Sequence, residues 1–133
     1  LLDAQDLAHT DTASAWLDTN QCDGSVLSVN VGALTGVDGS NYLTPVLQES
    51  DTTVATDATT VAAGDVQGAF TKMDANTEDQ VTQFVGYIGS KRYVRVNLDY
   101  TGTGITASLV SVDGILGMAK YPPSPTVAAV AAT

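Results

Sequence analysis

The chain is poor in the residue types that carry most protein chemistry. It has one cysteine, Cys22, and one histidine, His9. A lone cysteine forms no internal disulfide, which argues against a disulfide-built secreted module. A zinc site needs about four ligands, and this pair is too few. A Cys–His nucleophile–base pair has no supporting motif. Basic residues are also scarce: five Lys and Arg stand against fifteen Asp and Glu, a net charge of −10, with an isoelectric point near 4.1. Such a chain repels phosphate backbones, so no nucleic-acid partner is expected. Anionic membrane surfaces are disfavoured for the same reason. No apolar run approaches the roughly 18 residues of a membrane-spanning helix, and no basic-then-apolar leader is present. The first residue is Leu1 rather than Met, which reads as a trimmed or processed start.

Reaction machinery is equally sparse. The acids Asp38, Asp51, Asp57, Asp65 and Asp113 fall singly on turn-like stretches, where aspartate commonly bonds its own backbone. Asp38-Gly39-Ser40-Asn41 is a turn without calcium-loop spacing. No glycine-rich loop leads into a helix. No catalytic, cofactor-binding or metal-ligating residue is assigned, and the chain is not expected to be an enzyme.

Thr, Ser, Ala, Gly and Val fill the composition, as in domains of many short strands. The stretch Phe84–Val112 organises the pattern. Within it, Val94, Val96, Leu98 and Tyr100 alternate with Tyr93, Arg95, Asn97 and Asp99, the period-2 signature of a strand with one buried face. Gly89-Ser90 suits a two-residue type II′ hairpin turn. That turn would set Val85 opposite Val94, Tyr87 opposite Arg92, and Gly86 beneath Tyr93. A second turn, Thr101–Gly104, would put Ile105, Ala107 and Leu109 on the same apolar face.

Elsewhere, Ser25–Val31 reads as a strand with Leu27, Val29 and Val31 inward, followed by a turn-rich Gly32–Asn41. Tyr42–Glu49 reads as another, with Leu43 and Leu47 inward and Pro45 at an edge or bulge. Weaker strands are expected near Ala13–Leu17, Thr52–Ala55 and Val61–Met73. Asp74–Gln80 reads as an acidic loop and Ile115–Ala119 as a last strand. Trp16 is expected to cover one end of the core. The sum is an all-β domain, a two-sheet β-sandwich of jelly-roll type. The division is an extended N-terminal arm at 1–23, the sandwich at 24–120, and a proline-rich C-terminal arm at 121–133.

With no active site in view, surface binding remains. Lys91, Arg92 and Arg95 cluster at and just past the expected hairpin tip. They either pair with the chain's own surplus acids or meet an acidic patch on a partner. Tyr121, Pro122 and Pro123 open the tail and are further partner-contact candidates. Three segments carry a resemblance: Asn-Val-Gly closing Val29–Gly32, Leu-Gln-Glu-Ser-Asp at Leu47–Asp51, and Gly-Tyr-Ile-Gly-Ser-Lys-Arg-Tyr-Val-Arg at Gly86–Arg95. In this order the chain resembles the capsid cement or decoration proteins of tailed-phage virions. That family pattern often places Gly and Trp after the Glu-Ser-Asp segment, where this chain has Thr52-Thr53-Val54. The resemblance implies a non-catalytic protein on the capsid exterior. It would bridge subunits of the major capsid protein, as a dimer or trimer on the shell, without a cofactor. The alternative is a tail- or neck-associated structural module, or one binding host-surface carbohydrate.

Overall fold

The computed structural model describes residues 1–6, 9–20, 22–75 and 80–119. Alternation decides the strand at the centre. In Tyr93–Thr101, Val94, Val96 and Leu98 are fully buried and Tyr100 nearly so, while their neighbours face outward. This strand, β9, lies in one of two antiparallel sheets. Sheet A holds β1 (Leu2–Asp6), β10 (Ala107–Ala119), β4 (Cys22–Thr35), β8 (Thr82–Tyr87) and β7 (Val66–Gln67), in that spatial order. Sheet B holds β2 (Thr12–Ala13), β9, β5 (Tyr42–Ser50) and β6 (Thr59–Thr60), with β3 (Leu17–Asp18) also on β9.

The inner faces of the two sheets meet in one core. Leu27, Val29, Val31, Val85, Val110 and Val112 come from sheet A, and Leu43, Leu47, Val94, Val96 and Leu98 from sheet B. This is a β-sandwich. The pairing is nested: β1 with β10, β2 and β3 with β9, β4 with β8, and β5 with β6. The β4–β10 and β5–β9 ladders join the nested pairs. That is the pairing scheme of a jelly roll.

Nesting overturns both expected hairpins. β8 and β9 are consecutive but lie in different sheets, as do β9 and β10. Val85 therefore pairs with Leu27 and Val94 with Glu49, and Gly86 faces Val26 and Gln67 rather than Tyr93. Gly89 lacks the positive φ that a type II′ turn requires. It sits at a corner between sheets, where an added Cβ would lie 2.5 Å from the Tyr87 hydroxyl. The 101–106 stretch is a second corner, so no even loop count constrains it. β10 enters with Ser108, Val110 and Val112 inward and Leu109 outward. Ile105 is buried as expected, but from the loop. The predicted Ile115–Ala119 strand is the far end of this same β10.

A bulge explains why β4 runs past the predicted end at Val31. Val110 pairs with Val31 and Ser108 with Leu34, so Gly32 and Ala33 oppose the single residue Leu109. The extra residue resets the alternation and turns both Val31 and Leu34 inward. Leu109 lies over Gly32 on the outer face. The other corrections are local. Leu43 and Leu47 turn their backbone groups away from β9, toward Met73 and Val61. Pro45, of the same parity, has its missing N–H on this partly open side, as an edge position demands. Thr52–Ala55 is not a strand. Ser50 Oγ accepts the Thr52 N–H at 3.0 Å, Thr52 Oγ1 accepts the Val54 N–H at 3.2 Å, and a 3-10 turn follows at Ala55–Asp57. Side-chain bonds of this kind compete with strand pairing.

The described strands of the 1–23 segment pair with the sandwich and do not extend from it as an arm. β1 edges sheet A, and β2 and β3 edge sheet B. Side chains lock it there: Ser14 Oγ accepts the Val96 N–H at 3.1 Å, and Thr19 Oγ1 donates to the Arg92 carbonyl at 2.8 Å. Asp11 accepts the Tyr100 N–H at 2.9 Å. Residues 76–79 of the expected acidic loop, and the tail at 121–133, lie outside the described residues.

Two predictions follow from the packing. Leu98→Ala opens a cavity between the sheets and should cost about 2–4 kcal/mol in denaturant unfolding. Leu109→Ser, on the outer face, should cost under about 1 kcal/mol. Comparable losses would contradict the register of β10. The second concerns Asp99, whose carboxyl is held above the usual range by burial and by the neighbouring Asp11. A raised native pKa means the ionised form costs stability at neutral pH, and the cost fades as pH falls through the native pKa. Asp99→Asn should therefore raise the melting temperature at neutral pH. Wild type and variant should converge below the ordinary carboxylate pKa. An unchanged or lower value at neutral pH would contradict this.

Candidate functional site

The basic cluster points to the chain's own acids. Lys91 Nζ lies 2.5 Å from Asp51. Arg92 forks onto Asp18, with Nε 3.1 Å from Oδ1 and Nη2 2.8 Å from Oδ2. Hydrogen bonding from Arg92, helped by the Asn20 N–H, holds the Asp18 carboxyl below the usual range. Lys91 and Arg92 are shifted up by hydrogen bonds to Asp51 and Asp18. Arg95 donates to Gln48 Oε1 at 2.9 Å and lies over the Trp16 ring at 4.4 Å. Burial shifts it down. Lys72 pairs with Asp74 at 2.9 Å and lies over Tyr42. Each described Lys and Arg side chain thus already has a partner in the fold. Tyr121, Pro122 and Pro123 lie outside the described residues.

Trp16 does not cap the core. It is half-buried on the outer face of sheet B, edge-on to Tyr93, and donates its Nε1–H to the Thr53 carbonyl at 3.0 Å. Its ring and the Arg95 guanidinium occupy each other.

Two of the resemblance segments bind one another. From Gln48 to Asp51, each residue meets a partner in the second segment: Gln48 with Arg95, Glu49 with Tyr87, Ser50 with Tyr93 by strand register, and Asp51 with Lys91. The Tyr87 hydroxyl is central. It donates to Glu49 Oε2 at 2.7 Å and accepts the Lys91 N–H at 3.0 Å. Desolvation by burial and then the bond to Glu49 push its pKa well above the ordinary phenol value. These residues bracket the corner where β8 in sheet A gives way to β9 in sheet B. Their shared occurrence has a folding explanation.

A different surface lacks such internal partners. On the outer face of sheet A, Val26 of β4 sits directly between Ile115 of β10 and Gly86 of β8. Phe84 and Ile88 flank Gly86 along the chain. Phe84 and Ile115 are each 63% exposed, Ile88 47% and Val26 38%. A shallow groove of about 180 Å³ is lined by Val26, Ile88 and Ile115 together with Gly24, Gln67 and Gly117. The glycines leave the backbone bare, and the surrounding side chains form its walls. Further along, the same face is polar and bonded to itself: Asn30 Nδ2 donates to Asp113 at 2.8 Å, and Thr82 Oγ1 donates to Asn30 Oδ1 at 3.1 Å. A compact apolar patch with a polar neighbour is the usual look of a contact surface.

The sequence reading missed this patch, although a signal was present. Val26-Leu27, Phe84-Val85 and Ile115-Leu116 are apolar doublets inside strands. Successive side chains of a strand point to opposite faces, so no doublet can turn both its apolar residues inward. Cross-strand register gathers Val26, Phe84 and Ile115, and register is not visible in the chain order.

The remaining chemistry is dispersed. His9 packs near Tyr100, with ring centroids 6.1 Å apart, whereas Cys22 bonds through its N–H to Thr19 by Arg92. These are opposite ends of β9, separated by roughly 20 Å at the rise of a strand, so the two do not form a catalytic pair. Asp38 accepts the N–H groups of Ser40 at 2.8 Å and Asn41 at 2.9 Å, and these bonds hold its carboxyl below the usual range. Among the described residues, no three of His, Cys, Asp and Glu gather as metal ligands. Compared with known proteins, the chain matches no family model, no curated protein and no solved structure.

Proposed function

We propose that this protein is a virion structural protein of a tailed phage, of the cement or decoration type, which binds the outside of the capsid. It works by adhesion, without catalysis. Its contact surface is the outer face of sheet A, and its partner is the major capsid protein.

One observation carries this reading: exposed Val26, Ile88 and Ile115 around a glycine-floored groove, with exposed Phe84 two residues from Gly86 on the same strand. The chain already satisfies its described cations internally. Apolar burial is therefore the main binding energy the described surface offers. A small domain gains modestly at each contact, and repeated copies over a shell multiply the gain. The resemblance of Gly86–Arg95 and Leu47–Asp51 to the cement family points the same way. The carbohydrate-binding alternative finds less support, because a sugar site favours an open aromatic ring and Trp16 is already stacked with Arg95.

The test is co-sedimentation with shells of the phage that carries the protein. Phe84→Asp and Ile115→Asp should each reduce shell affinity by about tenfold or more, the ~1.4 kcal/mol or greater that a buried anchor commonly carries. Both side chains are exposed, so the melting temperature should stay near that of wild type. Arg92→Ala should sediment as wild type does. Shells that bind the Asp variants normally, or that leave wild type in the supernatant, would refute the proposal.

A further inference from the structure

Two carboxyls face each other where β2 meets β9. Thr12 pairs with Leu98 and Ala13 with Asn97. One step further, the same antiparallel register sets Asp11 opposite Asp99. Asp11 Oδ1 also accepts the Tyr100 N–H at 2.9 Å, in the place of a strand carbonyl. Facing side chains of adjacent strands stand close, and like charges there oppose the pairing. No Lys or Arg among the described residues offsets this pair. On β5, Thr44 stands opposite Asp99 and is neutral. Tyr42, opposite Thr101, carries Lys72 over its ring, and that ammonium is bonded to Asp74. On β9, the outward neighbours Asn97 and Thr101 are neutral, and Arg95 is engaged by Gln48 and Trp16. Along 9–13, Thr10 and Thr12 are neutral, and His9 packs beside the Tyr100 ring. Burial and then the Asp11 carboxylate hold the Asp99 carboxyl above the usual range.

We propose that Asp11 and Asp99 form a proton-operated latch, which fastens the 9–13 stretch onto β9 when the carboxyls share one proton and lets it lift when both are ionised. The shared proton bridges the two carboxyls while Asp11 keeps the Tyr100 N–H. Lifting is local, because Ser14 ends the movable stretch. Its N–H donates to the Val96 carbonyl at 2.8 Å, and its Oγ accepts the Val96 N–H at 3.1 Å. Opening relieves His9, which takes φ +58° in the left-handed region. It also uncovers the β9 edge from Leu98 to Tyr100, and an uncovered edge is a site for strand pairing. The latch therefore gates a strand edge by pH. The closed form has the higher Asp99 pKa, so it binds more protons than the open form. Closing strengthens as pH falls from the closed-form pKa toward the ordinary carboxylate value, and levels off on either side of that window.

The experiment is backbone amide exchange on the full chain, residue by residue, at a series of pH values from acid to neutral. Each rate is divided by the intrinsic rate at that pH, which leaves the local opening equilibrium. Protection of the Tyr100 amide should fall as pH rises through the window, by at most about tenfold per pH unit, the slope for one proton. The Val96 amide, bonded to Ser14, should stay better protected and change less. Asp99→Asn should keep Tyr100 protection high and flat. Asp11→Asn retains an acceptor oxygen for the Tyr100 N–H and should shrink the fall. His9→Asn, a residue that tolerates left-handed backbone, should leave the fall in place. Flat Tyr100 protection in the wild type overturns the proposal. So does a fall shared equally by Val96, which is global unfolding. A fall that persists in Asp99→Asn, is undiminished in Asp11→Asn or vanishes in His9→Asn overturns it as well. No shell enters the measurement, so its outcome is independent of capsid binding.

Discussion

The ladder between β4 and β10 is the interaction on which the rest of the structure depends. It runs from Thr35 opposite Ala107 to Cys22 opposite Ala119, and joins the two longest strands. It supplies the inner residues Val29, Val31, Val110 and Val112, and it gives β1 and β8 the edges on which they pair. Its two strands are far apart in the chain, so their pairing encloses β5, β8 and β9 before any of those contacts can help. Closing so long a loop costs entropy that local contacts cannot offset, which makes non-local β topologies slow to form.

The corners between the sheets are the second constraint. At Gly89–Lys91 the chain leaves sheet A for sheet B, and the Tyr87 ring fills the space beneath. The hydroxyl of that ring bonds both Glu49 of β5 and the Lys91 backbone. At 101–104 the chain returns toward sheet A. There Gly102 adopts φ +82° against Asn41, whose Oδ1 also accepts the Gly104 N–H at 2.7 Å. Each corner is thus tied to an element elsewhere in the sequence. The ion pairs around Lys91 and Arg92 sit on the first corner and are solvent-exposed. Pairs of that kind contribute little to stability, but they leave those cations occupied.

Consequently the two outer faces differ. Sheet B carries Trp16, Tyr93, Arg95 and Gln48 in mutual contact. Sheet A carries exposed apolar side chains around bare glycines. The proposed docking uses sheet A because its exposed apolar side chains have no partner on that face.

The sequence by itself determined the two-layered all-β architecture and most of the inner face. Val94, Val96, Leu98, Leu27, Val29, Leu43 and Leu47 were identifiable because alternation is local and a strand must hide its apolar side. The edge position of Pro45 was legible for an equally local reason, the missing N–H. Only the tertiary structure decided which strands are neighbours. Gly89-Ser90 looks like a hairpin turn, yet the nested pairing makes it a corner, and that reverses the facing of Leu109 and the partners of Val85 and Gly86. The patch of Val26, Phe84 and Ile115 was hidden for the same physical reason. Its members are adjacent through cross-strand register, a property of pairs of strands that no single stretch of chain contains.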